Sequence, residues 1–298
     1  MHKIMAGKSL YYTPKINQYY FFNERTMCRR TNGKCFGQIL ESDEKFMEVW
    51  NLANKYFGEY VKCKKTLTTY VQQAHYVLTS YSRLFEGFAL PSMFNVQAAR
   101  NIVEKYNFNG KMFDFSCGWG QRLVGALSKK VDYFGCDTNP ALCENLRECA
   151  RDFISTTGIQ NTATIINQQS EIYIPKFHNV MGLCFSSPPY FNVEIYNGEN
   201  TSTTLYGKYE IWLDKYMRQT LVNCKDYLVD GGYIAVNTKN IGKRRPLYQD
   251  VMRILGEDLK MEYVAEEPYK VKPRCSSSSQ KVRGNDYEHE QIMVYRKV

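Results

Sequence analysis

Residues 186–191 read Ser-Ser-Pro-Pro-Tyr-Phe and follow the apolar run Val180–Phe185. Pro188 and Pro189 lock φ and remove two backbone donors. They also bias Ser187 and Pro188 toward extended backbone. Carbonyl oxygens of so stiff a turn point outward, with no local N–H to satisfy them. One chemical task suits that geometry. An exocyclic amine, such as N6 of adenine or N4 of cytosine, has its lone pair delocalised into the ring. The Ser187 side chain and the Pro188 carbonyl can hold both amine hydrogens and help re-pyramidalise the nitrogen. The lone pair is then aimed at an electrophilic methyl group, while Tyr190, with Phe191 beside it, stacks on the base. Taken alone, the run also fits a proline-stiffened loop with a packed tyrosine.

Upstream, KMFDFSCGWGQRL runs from a strand into a glycine loop and then a helix. Asp114 closes the strand, and Gly118-x-Gly120 lets the backbone turn with no Cβ in the way. Such a loop at a helix N-terminus can lay backbone N–H groups against a polar ligand. A dinucleotide fingerprint wants a third glycine three residues on, where this chain has Leu123, so NAD and FAD are disfavoured. Asp137 stands 17 residues after Gly120, behind the second strand. A carboxylate there can accept both hydroxyls of a ribose above the strand ends. Its alternative role is to cap the helix that starts near Pro140. Loop and acid together indicate an adenosine-containing cofactor.

These positions need strands alternating with helices. Met112–Phe115, Tyr133–Cys136, Ala163–Ile166, Val180–Phe185, Tyr233–Val236, Met261–Val264 and Gln291–Arg296 read as strands. Pro91–Asn109, Arg122–Lys129, Ala141–Phe153 and Tyr209–Leu228 read as helices, the first with Ser92 as N-cap. Such alternation implies βαβ units and a mostly parallel sheet. No helix is expected between the last two strands, so they should pair as an antiparallel hairpin. The expected fold class is α/β, a Rossmann-like sheet with a mainly helical N-terminal extension.

The chain has 298 residues, 44% of them hydrophobic and 23% charged, enough for a sizeable core without disulfide staples. Residues 91–298 are expected to form the α/β domain, and residues 1–90 the extension. That extension carries 13 Lys/Arg against 7 Asp/Glu, or +6 of the net +9. It also holds nine Tyr, seven Phe and Trp50, and Phe46, Val49, Trp50, Ala53 and Phe57 give Glu41–Lys64 a helical period. Basic charge with interleaved aromatics suits nucleic-acid backbone contact and base stacking. Burial of the same aromatics in a helical cap fits equally well. Two basic loops, Asn240–Arg245 and Lys270–Gly284, are either solvated or phosphate-binding. Ten cysteines with no C-x-x-C pair, no secretory leader and no membrane span point to reduced thiols in a soluble cytoplasmic protein. Cys28, Cys35, Cys63 and His75 match no common zinc spacing, and no metal is expected.

In this order the segments resemble the S-adenosylmethionine-dependent DNA amino-methyltransferases of the N4-cytosine or N6-adenine type, including phage- and virus-encoded orphan methylases. In that family D-x-x-x-G-x-G binds the methionine part of the cofactor, and a strand-two acid binds the ribose. A (D/N/S)-P-P-(Y/F/W) tetrapeptide holds the target amine. The resemblance covers roughly residues 90–298. It implies a class I methyltransferase sheet, S-adenosyl-L-methionine as cofactor and double-stranded DNA as partner. Carried onto this sequence, it implies cofactor contacts from Asp114, Ser116, Cys117, Gly118, Trp119, Gly120, Asp137, Thr138 and Ser187. Glu171 is the candidate acid for the cofactor adenine, and Ser187, Pro188, Pro189 and Tyr190 are the implied catalytic set.

The chain departs from the family at two points. Phe115-Ser116 stands where Pro-Phe is frequent, and Trp119 is larger than the usual residue between the glycines. Ser186 stands only 66 positions after Gly120, too few for an inserted recognition domain. Recognition then has to come from residues 1–90 or the basic loops. The implied reaction is in-line displacement at sulfur, with the target base flipped out of the duplex. Two rival readings stay open. One is an RNA amino-methyltransferase or protein-glutamine methylase, although those relatives usually carry Asn or Asp before Pro-Pro. The other is a non-catalytic nucleic-acid-binding subunit. Cys117, with no partner base in its neighbourhood, reads as a loop side chain and not as a nucleophile.

Overall fold

The structure, a computed structural model, describes residues 13–30, 35–62, 91, 93–196, 198–242, 244–269 and 290–298. Ser92, Cys63, His75 and the basic loop Lys270–Gly284 lie outside them. The chain divides into two compact units, one of residues 1–21, 93–191 and 198–298, the other of residues 22–92 and 192–197. Helix α1 (Thr13–Met27) opens the described chain. The smaller unit holds α2 (Asp43–Lys62), a 3₁₀ turn at Phe36–Leu40 and an antiparallel ribbon pairing Arg29 with Ile195. Its division from the larger unit is not a single cut in the chain. Residues up to Phe21 belong to the larger unit, and residues 192–197 return to the smaller one.

The larger unit resumes with α3 (Val96–Tyr106), whose N-cap is Asn95, where Ser92 was expected. The Asn95 side chain accepts from the amides of Gln97 and Ala98 at 2.8 and 3.2 Å, satisfying donors that a helix start leaves open. This cap moves the helix start from Pro91 to Val96. Asn107 ends the helix, its side chain taking the Gly110 amide at 2.8 Å to turn the chain into the sheet. There follow β1 (Lys111–Asp114), α4 (Gln121–Ser128), β2 (Asp132–Asp137), α5 (Pro140–Thr157), β3 (Ala163–Asn167) and β4 (Met181–Ser186). The helix expected over Tyr209–Leu228 is built as α6 (Tyr209–Trp212), a π-helical stretch Leu213–Arg218, and α7 (Gln219–Tyr227). After it come β5 (Leu228–Thr238), α8 (Leu247–Arg253) with a π-helical end at Ile254–Asp258, β6 (Glu262–Pro268) and β7 (Gln291–Arg296). Helix α8 was not expected, although Leu247, Val251, Ile254 and Leu255 are buried at i, i+4, i+7, i+8 spacing.

The seven strands form one sheet in the order β3-β2-β1-β4-β5-β7-β6. Its first five strands are parallel to their neighbours, with Asp114 beside Gly135 and Ser186 beside Val236. The hairpin of β6 and β7 is antiparallel, as expected. Strand β7 also pairs antiparallel with β5, so it lies between β5 and β6. This is the mostly parallel, Rossmann-like sheet that the alternation of elements called for. Its faces are filled by large side chains such as Phe113, Phe153, Phe185, Trp212 and Tyr227, all wholly buried. Burying one such side chain contributes roughly 1.5–3 kcal/mol. Strand order reverses between β1 and β4, which run parallel, so the crevice that binds ligands in open α/β sheets opens at the carboxyl ends of those two strands. Among the described residues, no helix is long and apolar enough to cross a membrane.

Candidate active site

Asp114, Asp137 and Ser186 end β1, β2 and β4, and parallel pairing brings all three to the same edge. Between Asp114 and α4 lies the glycine loop. Gly118 and Gly120 have φ of +55° and +74°, backbone that a side chain strains. A Cβ on Gly120 would also stand 2.9 Å from the Phe21 ring of α1. Phe21 is wholly buried, and Tyr20 beside it donates to the Asp152 carboxylate of α5. Both aromatics belong to the larger unit and pack within it.

Asp114 is wholly buried, and both of its oxygens are engaged by protein. Oδ2 accepts from Arg122 Nε at 2.8 Å and from Tyr133 Oη at 2.9 Å, and Oδ1 accepts from Ser186 Oγ at 2.8 Å and the Ser116 amide at 3.3 Å. The guanidinium of Arg122 also donates to the Ser116 carbonyl and lies 5.4 Å from the centre of the Phe94 ring. Asp114 thus acts on the loop from beneath. Ser116 is fixed from a third side by Tyr216, whose hydroxyl is 3.1 Å from Ser116 Oγ. Tyr216 projects from the π-helical stretch, a local irregularity that commonly re-aims side chains at functional sites.

Asp137 faces the same loop. Its Oδ2 accepts the Gly118 amide at 3.3 Å and its Oδ1 the Asn139 amide at 3.2 Å. Burial pushes its carboxyl up to about 6, against the opposing pull of those two amides. Helix α5 is capped instead by Asn139, which accepts from Leu142 N at 3.1 Å. The capping alternative for Asp137 is thereby removed. Thr138 is half-buried beside it. Cys117 is buried, its amide bonded to the Cys136 carbonyl at 3.2 Å. Burial, joined by the charges of Asp114 and Asp137, raises its thiol well above the ordinary range. It stays a thiol and packs in the loop. Trp119 is 8% exposed.

Glu171, behind β3, is half-buried, and its Oε1 has no hydrogen-bond partner. Burial raises its carboxyl. A hydrogen bond from Tyr206 opposes that rise, and the Glu171 charge in turn helps raise the hydroxyl of Tyr216, the residue that bonds to Ser116.

The Ser187–Tyr190 turn leaves β4 beside the end of β5. Pro188 is buried, while Ser187, Pro189 and Tyr190 are partly exposed. Asn237 Nδ2 on β5 stands 3.0 Å from both Ser187 Oγ and Tyr190 Oη. Lys239 Nζ lies 5.6 Å from the centre of the Tyr190 ring and pairs with Glu290 at 3.0 Å. Phe191 closes the turn at φ +47°, a strained value for a side chain that is 4% exposed. Edge-on packing against Tyr209 and Trp212 holds it there, and the Arg245 guanidinium lies 4.9 Å from its ring centre.

The structure therefore joins Asp114, Ser116, Gly118 and Asp137 in one bonded loop and ties that loop to β4 through Ser186. Sequence reading missed Phe94, Arg122, Tyr133, Ser186, Tyr216 and Asn237. Among the described residues, no group of three His, Cys, Asp or Glu side chains is arranged to hold a metal ion.

No protein-family model matches the chain, and no curated protein matches it. Solved structures do. An S-adenosylmethionine-dependent O-methyltransferase from Thermotoga maritima is 11% identical, over 70% of this chain and 67% of that one, with a TM-score of 0.43. A TehB-like S-adenosylmethionine-dependent methyltransferase from Corynebacterium glutamicum is 16% identical, over 70% and 89%, at 0.44. The N-methyltransferase NodS from Bradyrhizobium japonicum is 9% identical, over 68% and 93%, at 0.43. The fold assignment stands on the strand order and register described above.

Proposed function

We propose that the chain transfers a methyl group from S-adenosylmethionine to an exocyclic amine of a DNA base, N4 of cytosine or N6 of adenine. The observation that carries this reading is the Ser186–Asp114 bond, which ties the strand that leads into Ser187–Tyr190 to the base of the loop that bears Gly118 and bonds to Asp137. A cofactor site and an amine-holding turn then share one crevice.

The loop fits the cofactor. Gly118 is partly exposed at positive φ, and a side chain there would strain the backbone of the cradle. Asp137 offers carboxylate oxygens for the ribose hydroxyls, and Glu171 Oε1 is a buried acceptor without a partner. Ser116, Cys117, Trp119, Gly120 and Thr138 complete the cradle. When bound, the cofactor supplies an electrophilic methyl on a sulfonium. Asp114 and Arg122 hold the loop backbone in place for it. Ser187 Oγ and the Pro188 carbonyl accept the two amine hydrogens, Pro189 stiffens the turn, and Tyr190 stacks on the base. Flipping the base from a duplex costs roughly a few kcal/mol. Alignment of amine and methyl supplies most of the acceleration.

The test is tritium transfer from labelled S-adenosylmethionine to unmodified duplex DNA, followed by nucleoside chromatography. Label in N4-methylcytosine or N6-methyladenine, lost in Ser187→Ala/Tyr190→Ala, is the expected result. Label in RNA or protein with DNA blank would overturn the DNA assignment, and absence of cofactor binding would overturn the enzyme.

A further inference from the structure

Asn237 is the penultimate residue of β5 and is 1% exposed. An amide nitrogen carries two hydrogens, and here one goes to Ser187 Oγ and the other to Tyr190 Oη, each at 3.0 Å. The Oδ1 of the same amide is buried with no hydrogen-bond partner. A buried carbonyl without a donor is destabilising, and an apolar side chain would fill the same space without that cost. A packing role alone does not account for it. Two donations into one tetrapeptide do.

We propose that Asn237 is a positioning residue for the transfer: it locks the Ser187 hydroxyl and the Tyr190 ring into one arrangement and so fixes how the target amine is held. This rests on the methyl-transfer reading above. The two prolines between Ser187 and Tyr190 fix backbone, but they leave both side-chain rotors free. Asn237 supplies the missing constraint. A serine oxygen has two lone pairs. Asn237 occupies one, leaving the other for an amine hydrogen in a single direction. The second donation holds the phenol oxygen and with it the plane on which the base stacks.

The test uses the full chain carrying Asn237→Leu or Asn237→Asp, with Thr238→Val as control. Thr238 is the next residue, buried, and its hydroxyl has no partner. In the Asn237 variants kcat is expected to fall by about 100-fold, the scale of a misplaced reacting group. The dissociation constant for S-adenosylhomocysteine should stay within about two-fold, and Thr238→Val should match the unsubstituted chain. Equal loss of turnover and cofactor binding would overturn the proposal. A second readout needs no turnover: fluorotyrosine-labelled protein, with the Tyr190 resonance identified by its loss in Tyr190→Phe. That resonance should shift in both Asn237 variants and stay put in Thr238→Val; no shift would overturn the clamp at any level of activity. If the Asn237 variants do not fold, Ser187→Ala breaks the same arrangement from its other end and should move the resonance too. If the unsubstituted chain methylates no nucleic acid while the resonance moves as expected, the functional reading falls and the clamp is upheld.

Discussion

Ser186 Oγ donates to Asp114 Oδ1 at 2.8 Å, across 72 residues of sequence. Asp114 ends β1 and Ser186 ends β4, so this bond spans the point where the sheet's strand order reverses. Arg122 and Tyr133 are the acid's other side-chain partners, and Ser186, Arg122 and Tyr133 are all buried. The glycine loop is thus referenced to the sheet by charge as well as by chain connectivity.

Arg122→Met leaves the Asp114 carboxylate buried without its cation. Breaking a buried pair from one side costs about 3–5 kcal/mol, which urea unfolding measures. Arg122→Met combined with Asp114→Asn should cost clearly less than the two single changes added together. Additive costs would mean that the two side chains do not depend on each other.

Gly120→Ala meets two obstacles: φ of +74° and a Phe21 ring atom 2.9 Å from the new methyl. The backbone penalty alone is about 1–2 kcal/mol. Calorimetry with S-adenosylhomocysteine should show at least ten-fold weaker binding. Adding Phe21→Ala removes the steric obstacle and leaves the backbone one, so loop geometry should recover in part while stability falls further.

Asp137 titrates near 6 in the folded chain, against an ordinary value of 3.8. Between those values the folded state holds more of this proton than the unfolded state does. Stability should therefore fall as pH rises from about 4 to about 6 and level off above. Asp137→Asn should remove that part of the slope. Binding of S-adenosylhomocysteine, which needs the ionised acid as acceptor, should strengthen as pH rises through about 6 and lose that dependence in the variant. A slope unchanged by the substitution would assign it to another group.

Lys239→Gln removes a partly exposed ion pair with Glu290, worth about 0–1 kcal/mol to stability. Its effect should fall on nucleic-acid binding. If the ammonium above Tyr190 contacts a phosphate, the salt dependence of binding loses about one ion's worth of slope. An unchanged slope would leave Lys239 out of that contact.

The glycine loop, Asp137 and the Ser187–Tyr190 turn were legible because glycine and proline constrain backbone locally, and the strands before them are short apolar runs. The supporting residues were not. Arg122, Tyr133, Ser186, Tyr216 and Asn237 each reach the site across pairings or packing that no local spacing encodes: Tyr216 is 100 residues from its Ser116 partner, and Asn237 is 50 from Ser187. Start points of helices were blurred where two capping residues competed, as Ser92 and Asn95 did before α3. Helix α8 carried its period openly in Leu247, Val251, Ile254 and Leu255, yet its π-helical end shortens the regular part to seven residues.

Strand β7 occupies the place between β5 and β6, and it is the last of the three to leave the ribosome. Until residues 291–296 emerge, Tyr233–Thr238 presents an open row of amides and carbonyls, and β6 has nothing to lie against. A nascent chain paused in the stretch before Gln291 therefore displays a sticky apolar edge, Ile234, Ala235 and Val236 among it. Closure of the sheet is a late, long-range event in the life of this polypeptide.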